Sequence, residues 1–153
     1  MDNPAEEQEP AEQGDSIPRS FMLIASGALV WNLLGVMAYV MQVTMSESAL
    51  QALPENERLL YETIPIWATS AFAIAVNGST LGCLLLLFKK AWAFPVLVVS
   101  LLGVLVQMVH SFFIANSIEV YGPGGMIMPA MVLVISIYLV WYSWNAKSRG
   151  WIN

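Results

Sequence analysis

Four long stretches of this chain contain no Asp, Glu, Lys or Arg, and they constrain its fold more than any other feature. They cover 21–43, 66–88, 92–116 and 125–144. A helix needs roughly 20 mostly apolar residues to cross a hydrocarbon core. Within lipid, only helices and closed barrels satisfy their own backbone. The stretches are continuously apolar rather than alternating, which selects helices over barrel strands. The expected fold is therefore all-α: a four-transmembrane-helix antiparallel bundle. Composition agrees, with 58% hydrophobic and 11% charged residues in a chain of 153. A water-soluble domain of this size could not hide so much apolar surface.

Orientation follows from the basic residues. Arg19 precedes the first span, Lys89 and Lys90 fill the tight turn between the second and third, and Lys147 and Arg149 follow the fourth. The other side carries only Arg58. The positive-inside rule then places the Lys–Lys turn, the N-terminus and the C-terminus in the cytoplasm. Trp67, Trp92, Trp141 and Trp144 lie near span ends, as interfacial belts require. The first span is too long for a signal-peptide core and follows acidic residues, so it reads as a span rather than a cleaved signal.

Outside the spans the chain divides simply. Residues 1–19 hold Asp2, Glu6, Glu7, Glu9, Glu12 and Asp15 and no aromatic residue. They read as a disordered acidic cytoplasmic tail, with an acidic docking arm as the alternative. Residues 145–153 read as a second cytoplasmic tail. The outer loop, 44–65, suggests two short helices. Ser46 or Ser48 would cap the first, and Pro54 would sit in the first turn of the second with Glu55 and Glu57 near its positive end. The glycines at 122, 124 and 125 mark a turn; an anion nest is the sharper alternative.

Polar residues within the spans are the candidate functional groups. A helix advances about 100° per residue, so Asn32, Gly35, Tyr39 and Gln42 share an arc of about 80°. In the second span, Ser70, Ala73, Asn77 and Thr80 form one stripe. Ala71, Ala75, Gly78 and Gly82 form another with the small-xxx-small spacing of close helix contacts. That second stripe fits packing within the bundle or between subunits. In the third span, Ser100, Gly103, Gln107, His110 and Ser117 share a face. Asn32, Asn77 and Gln107 fall at mid-membrane height, and Tyr39, Gln42, Ser70 and His110 in the outer half.

Two readings fit this intramembrane cluster of Asn32, Tyr39, Gln42, Ser70, Asn77, Gln107 and His110. Either the groups hydrogen-bond across helices and hold the bundle together, or they line a cavity for a small neutral solute such as a sugar. Gly35, Gly78, Gly82 and Gly103 serve helix packing in both. His110, the sole histidine, is either a neutral residue bonded to Gln107 or Tyr39, or a ligand or proton contact. Cys83, the one cysteine, reads as a small packing residue.

The stretches WNLLGVMAYVMQ, ALPENERLLYETIPIWA and LLGVLVQMVHSFF resemble a largely uncharacterised family of small four-span bacterial inner-membrane proteins, some labelled as sugar transporters. The resemblance spans about 20–144 and rests on Trp31, Asn32, Gly35, Tyr39, Pro54, Tyr61, Pro65, Trp67, Gln107 and His110. It implies a multi-pass protein of the bacterial inner (plasma) membrane that handles a small neutral solute. In span count the chain is also similar to small multidrug transporters, but it lacks their first-span glutamate.

Function classes narrow accordingly. A solute transporter or binder, acting as a homo-oligomer, is the first expectation; a non-transporting accessory or envelope protein is the second. The chain shows no buried carboxylate pair, no H-E-x-x-H, no G-x-S-x-G and no Walker loop, so no enzyme, cofactor or metal is expected. Six Lys and Arg, unclustered, give no nucleic-acid footprint.

Overall fold

The computed structural model describes residues 17–153, so the acidic stretch before them lies outside the described residues. Four helices are long and apolar enough to cross a membrane, which is compatible with a multi-pass membrane protein. They belong to α1 (Arg19–Val43), α4 (Ile66–Leu87), α5 (Ala93–Val109) and α7 (Ile127–Ser148). Three short helices lie in the loops: α2 (Glu47–Gln51), α3 (Glu55–Glu62) and α6 (Ser117–Tyr121). Among the described residues there is no strand.

Helix ends follow local chemistry. Ser46 caps α2 by accepting a hydrogen bond from the Ala49 amide at 3.2 Å. Pro54 stands at the N-cap of α3, one residue before the first turn where the sequence suggested it, and Glu55 and Glu57 fill that turn. The third span does not run straight to its end. From His110 to Ile114 the backbone widens into a π turn, closed by the Ala115 amide on the His110 carbonyl at 2.8 Å. Asn116 then adopts a left-handed conformation (φ 47°), which turns the chain into α6. Ser117 therefore leaves the face it would share with Gln107 on a continuous helix.

The spanning helices pack in the order α1–α4–α5–α7. The α4–α5 seam is the closest and is built from small residues. A Cβ on Gly103 would come within 2.9 Å of the Ala71 carbonyl oxygen, and one on Gly78 within 3.0 Å of Ser100. A Cβ on Gly82 would overlap Leu97. The Gly78/Gly82 face is thus filled by α5 inside the bundle, which removes it as a contact between subunits. Hydroxyls lock the seam: Ser79 and Ser100 share a hydrogen bond at 2.5 Å, and Ser100 donates to the Ala75 carbonyl at 2.6 Å.

The buried apolar cluster lies at the end that carries Arg19, Lys89, Lys90 and Lys147, called the basic end below. Phe21, Cys83, Leu86, Leu97, Leu139, Tyr142 and Ile152 form it. Here the outer helices α1 and α7 meet through the Phe21 ring, stacked on Tyr142 with centroids 6.0 Å apart. The same ring meets Trp151 edge to face at 6.0 Å. Helix α7 continues to Ser148, past the expected limit at 144. Residues 151–153 then fold back: the Asn153 amide donates to the Lys89 carbonyl and the Ala91 amide donates to the Asn153 carbonyl, each at 2.9 Å. Large apolar side chains such as Leu23, Val30, Ile66, Val99, Phe113 and Val134 face outward along the spans, as lipid contact requires.

Candidate functional site in the loop-end half of the bundle

Helix α1 rests on α4 and α7 rests on α5, with no comparable packing between the two outer helices. A cavity of about 390 Å³ lies between all four. Trp31, Asn32, Gly35, Ala38 and Gln42 line it from α1; Phe72, Ala75, Val76 and Ser79 from α4; Val104, Gln107, Met108 and Ser111 from the third span; Met128, Pro129, Val132, Ile135 and Ser136 from α7. This volume falls within the roughly 300–1,000 Å³ of small-molecule sites. Its wall is mainly apolar, with a few amides and hydroxyls.

Small side chains leave part of the space: Gly35, Ala38, Ala75, Ser79 and Ser136 stand in the wall among larger ones such as Trp31, Phe72, Met108 and Met128. A smaller hollow of about 150 Å³ adjoins the cavity toward α6 and shares Ser111 and Pro129 with it. Beside it, α3 and α6 touch. Tyr121 on α6 has its phenol pushed above the ordinary tyrosine value by partial burial, then by Tyr61 and Glu57 of α3.

Most polar groups in the spans bond to their own helix. Asn32 donates to the Ala28 carbonyl at 2.8 Å and also reaches the Cys83 sulfur at 3.5 Å. Thr80 donates to Val76, and Ser136 to Val132. Gln107 differs. Its Oε1 is buried and has no hydrogen-bond partner. An unmatched buried acceptor is costly, on the order of 1–3 kcal/mol. Gln107 also lines the cavity, and its side chain would have to turn for Oε1 to meet a donor bound there.

Of the seven residues the sequence grouped, the structure brings Asn32, Gln42 and Gln107 to the cavity wall, with Gly35 beside them. The other four depart from the expected cluster. Tyr39 packs its ring edge to face on Phe72 at 5.5 Å, behind the wall. Ser70 and Asn77 are exposed on the outer side of α4. The α4–α5 seam explains this: once Ala71, Ala75, Gly78 and Gly82 engage α5, Asn77 must point away, and Ser79, about 200° further round, turns inward. His110 is buried but lies outside the cavity. Its ring meets Trp67 edge to face at 5.2 Å rather than bonding Gln107 or Tyr39. Three residues carry it about 60° round the helix from Gln107, toward the first turn of α4.

Trp31, which the sequence offered with Tyr39 as a ring-stacking residue, also lines the site, and so do Ser79, Ser111 and Ser136, which were not singled out for it. Ser79 had one legible signal: it neighbours the small-residue stripe that fixes α4. Ser136 shared its span's polarity with Tyr138 and Tyr142, and the three form no single stripe that would define a face. Among the described residues, no three His, Cys, Asp or Glu side chains gather as a metal site would require. Comparison with family models, curated proteins and solved structures finds no match to this chain.

Proposed function

We propose that this chain binds a small, neutral, largely apolar molecule bearing at least one hydrogen-bond donor, in the cavity between its four spans, as a step in moving or presenting that molecule at the membrane. The observation that carries this reading is the cavity of about 390 Å³ between all four spans, with Gln107 in its mainly apolar wall. Asn32, Gln42, Ser111 and Ser136 add further polar contacts along an otherwise apolar wall. A wall of this kind suits an amphiphile with a hydroxyl or amide head, such as a sugar on an alkyl tail, better than a free sugar covered in hydroxyls. Helices α1 and α7 pack little against each other, and an opening between them would let such a molecule arrive sideways from the lipid. The resemblance to four-span proteins labelled as sugar transporters points to the same solute class.

The test is a thermal-shift series on protein in lipid nanodiscs, which avoids alkyl-glycoside detergents that would themselves compete. Neutral alkyl glycosides and fatty amides are compared with the free sugar and with an alkane of equal length. A ligand at a hundredfold excess over its Kd should stabilise the protein by about 2.7 kcal/mol. Gln107→Leu should weaken binding roughly tenfold, as expected for one buried hydrogen bond. Equal shifts for Gln107→Leu and the natural chain, or no shift with any amphiphile, would remove the proposal.

A further inference from the structure

Asn77 is the one exposed carboxamide in the four spans, and it stands halfway along α4. Its amide nitrogen donates to the Ala73 carbonyl of its own helix at 2.9 Å. Nothing among the described residues bonds its Oδ1. An amide facing hydrocarbon at that depth is unfavourable, and such residues normally meet protein rather than lipid.

The surroundings of Asn77 indicate which protein. Ser70, Ile74, Asn77, Leu81, Leu84 and Phe88 follow one another at spacings of four, three, four, three and four. All are exposed except the half-buried Leu84. This is the repeat of a left-handed helix pair, whose seam recurs every 3.5 residues. It lies outside both α4 contacts, since α1 and α5 occupy other faces of the helix.

A single asparagine in an apolar seam of this kind is a register device. A carboxamide carries both a donor and an acceptor, so it complements itself. Two copies inserted in the same direction are related by a two-fold axis along the membrane normal. Residues on the axis then meet their own counterparts at equal depth.

We propose that this face of α4 is a homodimer interface, in which Asn77 of each copy donates to the Oδ1 of the other while Ile74, Leu81 and Phe88 pack against their counterparts. The interface is independent of the cavity, which one chain encloses by itself.

Disulfide trapping in membranes tests it. The experiment uses the full chain with Cys83→Ala, single cysteines at Ile74, Leu81 or Val99, and an added oxidant. Ile74→Cys and Leu81→Cys should trap dimers, and Val99→Cys, on the exposed side of α5, should not. Adding Asn77→Leu to Leu81→Cys should weaken dimerisation in bilayers roughly tenfold, the scale of an interhelical amide pair. Asn77→Gln, which keeps the donor and acceptor, should retain most of it. The proposal is overturned if Val99→Cys traps as well as Leu81→Cys, or if Asn77→Leu leaves dimerisation unchanged. Should Asn77→Leu fail to accumulate in membranes, trapping by Leu81→Cys against Val99→Cys decides alone.

Discussion

At the basic end, Phe21, Leu86, Leu139 and Ile152 are shut away from solvent and lipid. Toward the loop end, the same four helices surround about 390 Å³ of unfilled space. The difference has two causes. One is side-chain size: Gly35, Ala38, Ala75, Ser79 and Ser136 take up little of the space between the helices at the loop end. The other is how the helix ends are tied. Lys89–Ala91 makes a tight turn pinned by residues 151–153, whereas α1 and α4 are joined through 44–65, and the third span reaches α7 through a π turn, α6 and a 3₁₀ turn. Long connections constrain the outer helices less at that end. One end therefore holds the bundle together, and the other is free to hold something else.

If that division is right, Phe21→Ala should be the most damaging of the substitutions considered. It removes the ring that joins α1 to α7, and a buried Phe→Ala change costs about 3–5 kcal/mol. Reversible unfolding in mixed micelles would measure it. A loss below about 1 kcal/mol would mean that the basic end is not the anchor, since even mild core truncations reach that size.

A smaller effect is expected on the seam common to both halves. Ser100→Ala deletes the bond to Ser79 and the bond to the Ala75 carbonyl. Interhelical hydrogen bonds in membranes are worth about 0.6–2 kcal/mol, and the same unfolding assay should return a loss in that range. Both ends should loosen together, because α4 and α5 run through both.

The smallest change in stability belongs to the hollow half. Ser136→Leu adds volume on the cavity side and removes a hydroxyl bonded only to its own helix. It should leave stability within about 1 kcal/mol of the natural chain, yet lower affinity for the bound amphiphile at least tenfold. A stability loss matching Phe21→Ala would show that the loop-end half is already packed, and the contrast would collapse.

The first two spans were legible almost to the residue, the third and fourth less closely, and the site only in part. The first and second begin or end within two residues of their expected limits. The third departs at His110, where a π turn replaces the α-helix. A widened turn leaves no compositional mark, because the same apolar residues suit both geometries. Asn32, Gln42 and Gln107 line one cavity, since their helices turn those faces inward. Asn77 was grouped with them on its stripe with Ser70, Ala73 and Thr80 and on its height, and neither fixes which neighbour that stripe meets.

Hydrophobicity and length are local properties, so the residues alone determined how many helices cross, where they begin and which medium suits them. Facing is relational. Helical periodicity states which residues share a side, but not which neighbour that side meets. The small-residue contact between α4 and α5 decided it, turning Ser79 inward and Asn77 outward. The cavity exists for the same reason: it is the space left where small side chains on four separate helices come opposite one another, an arrangement that only packing creates.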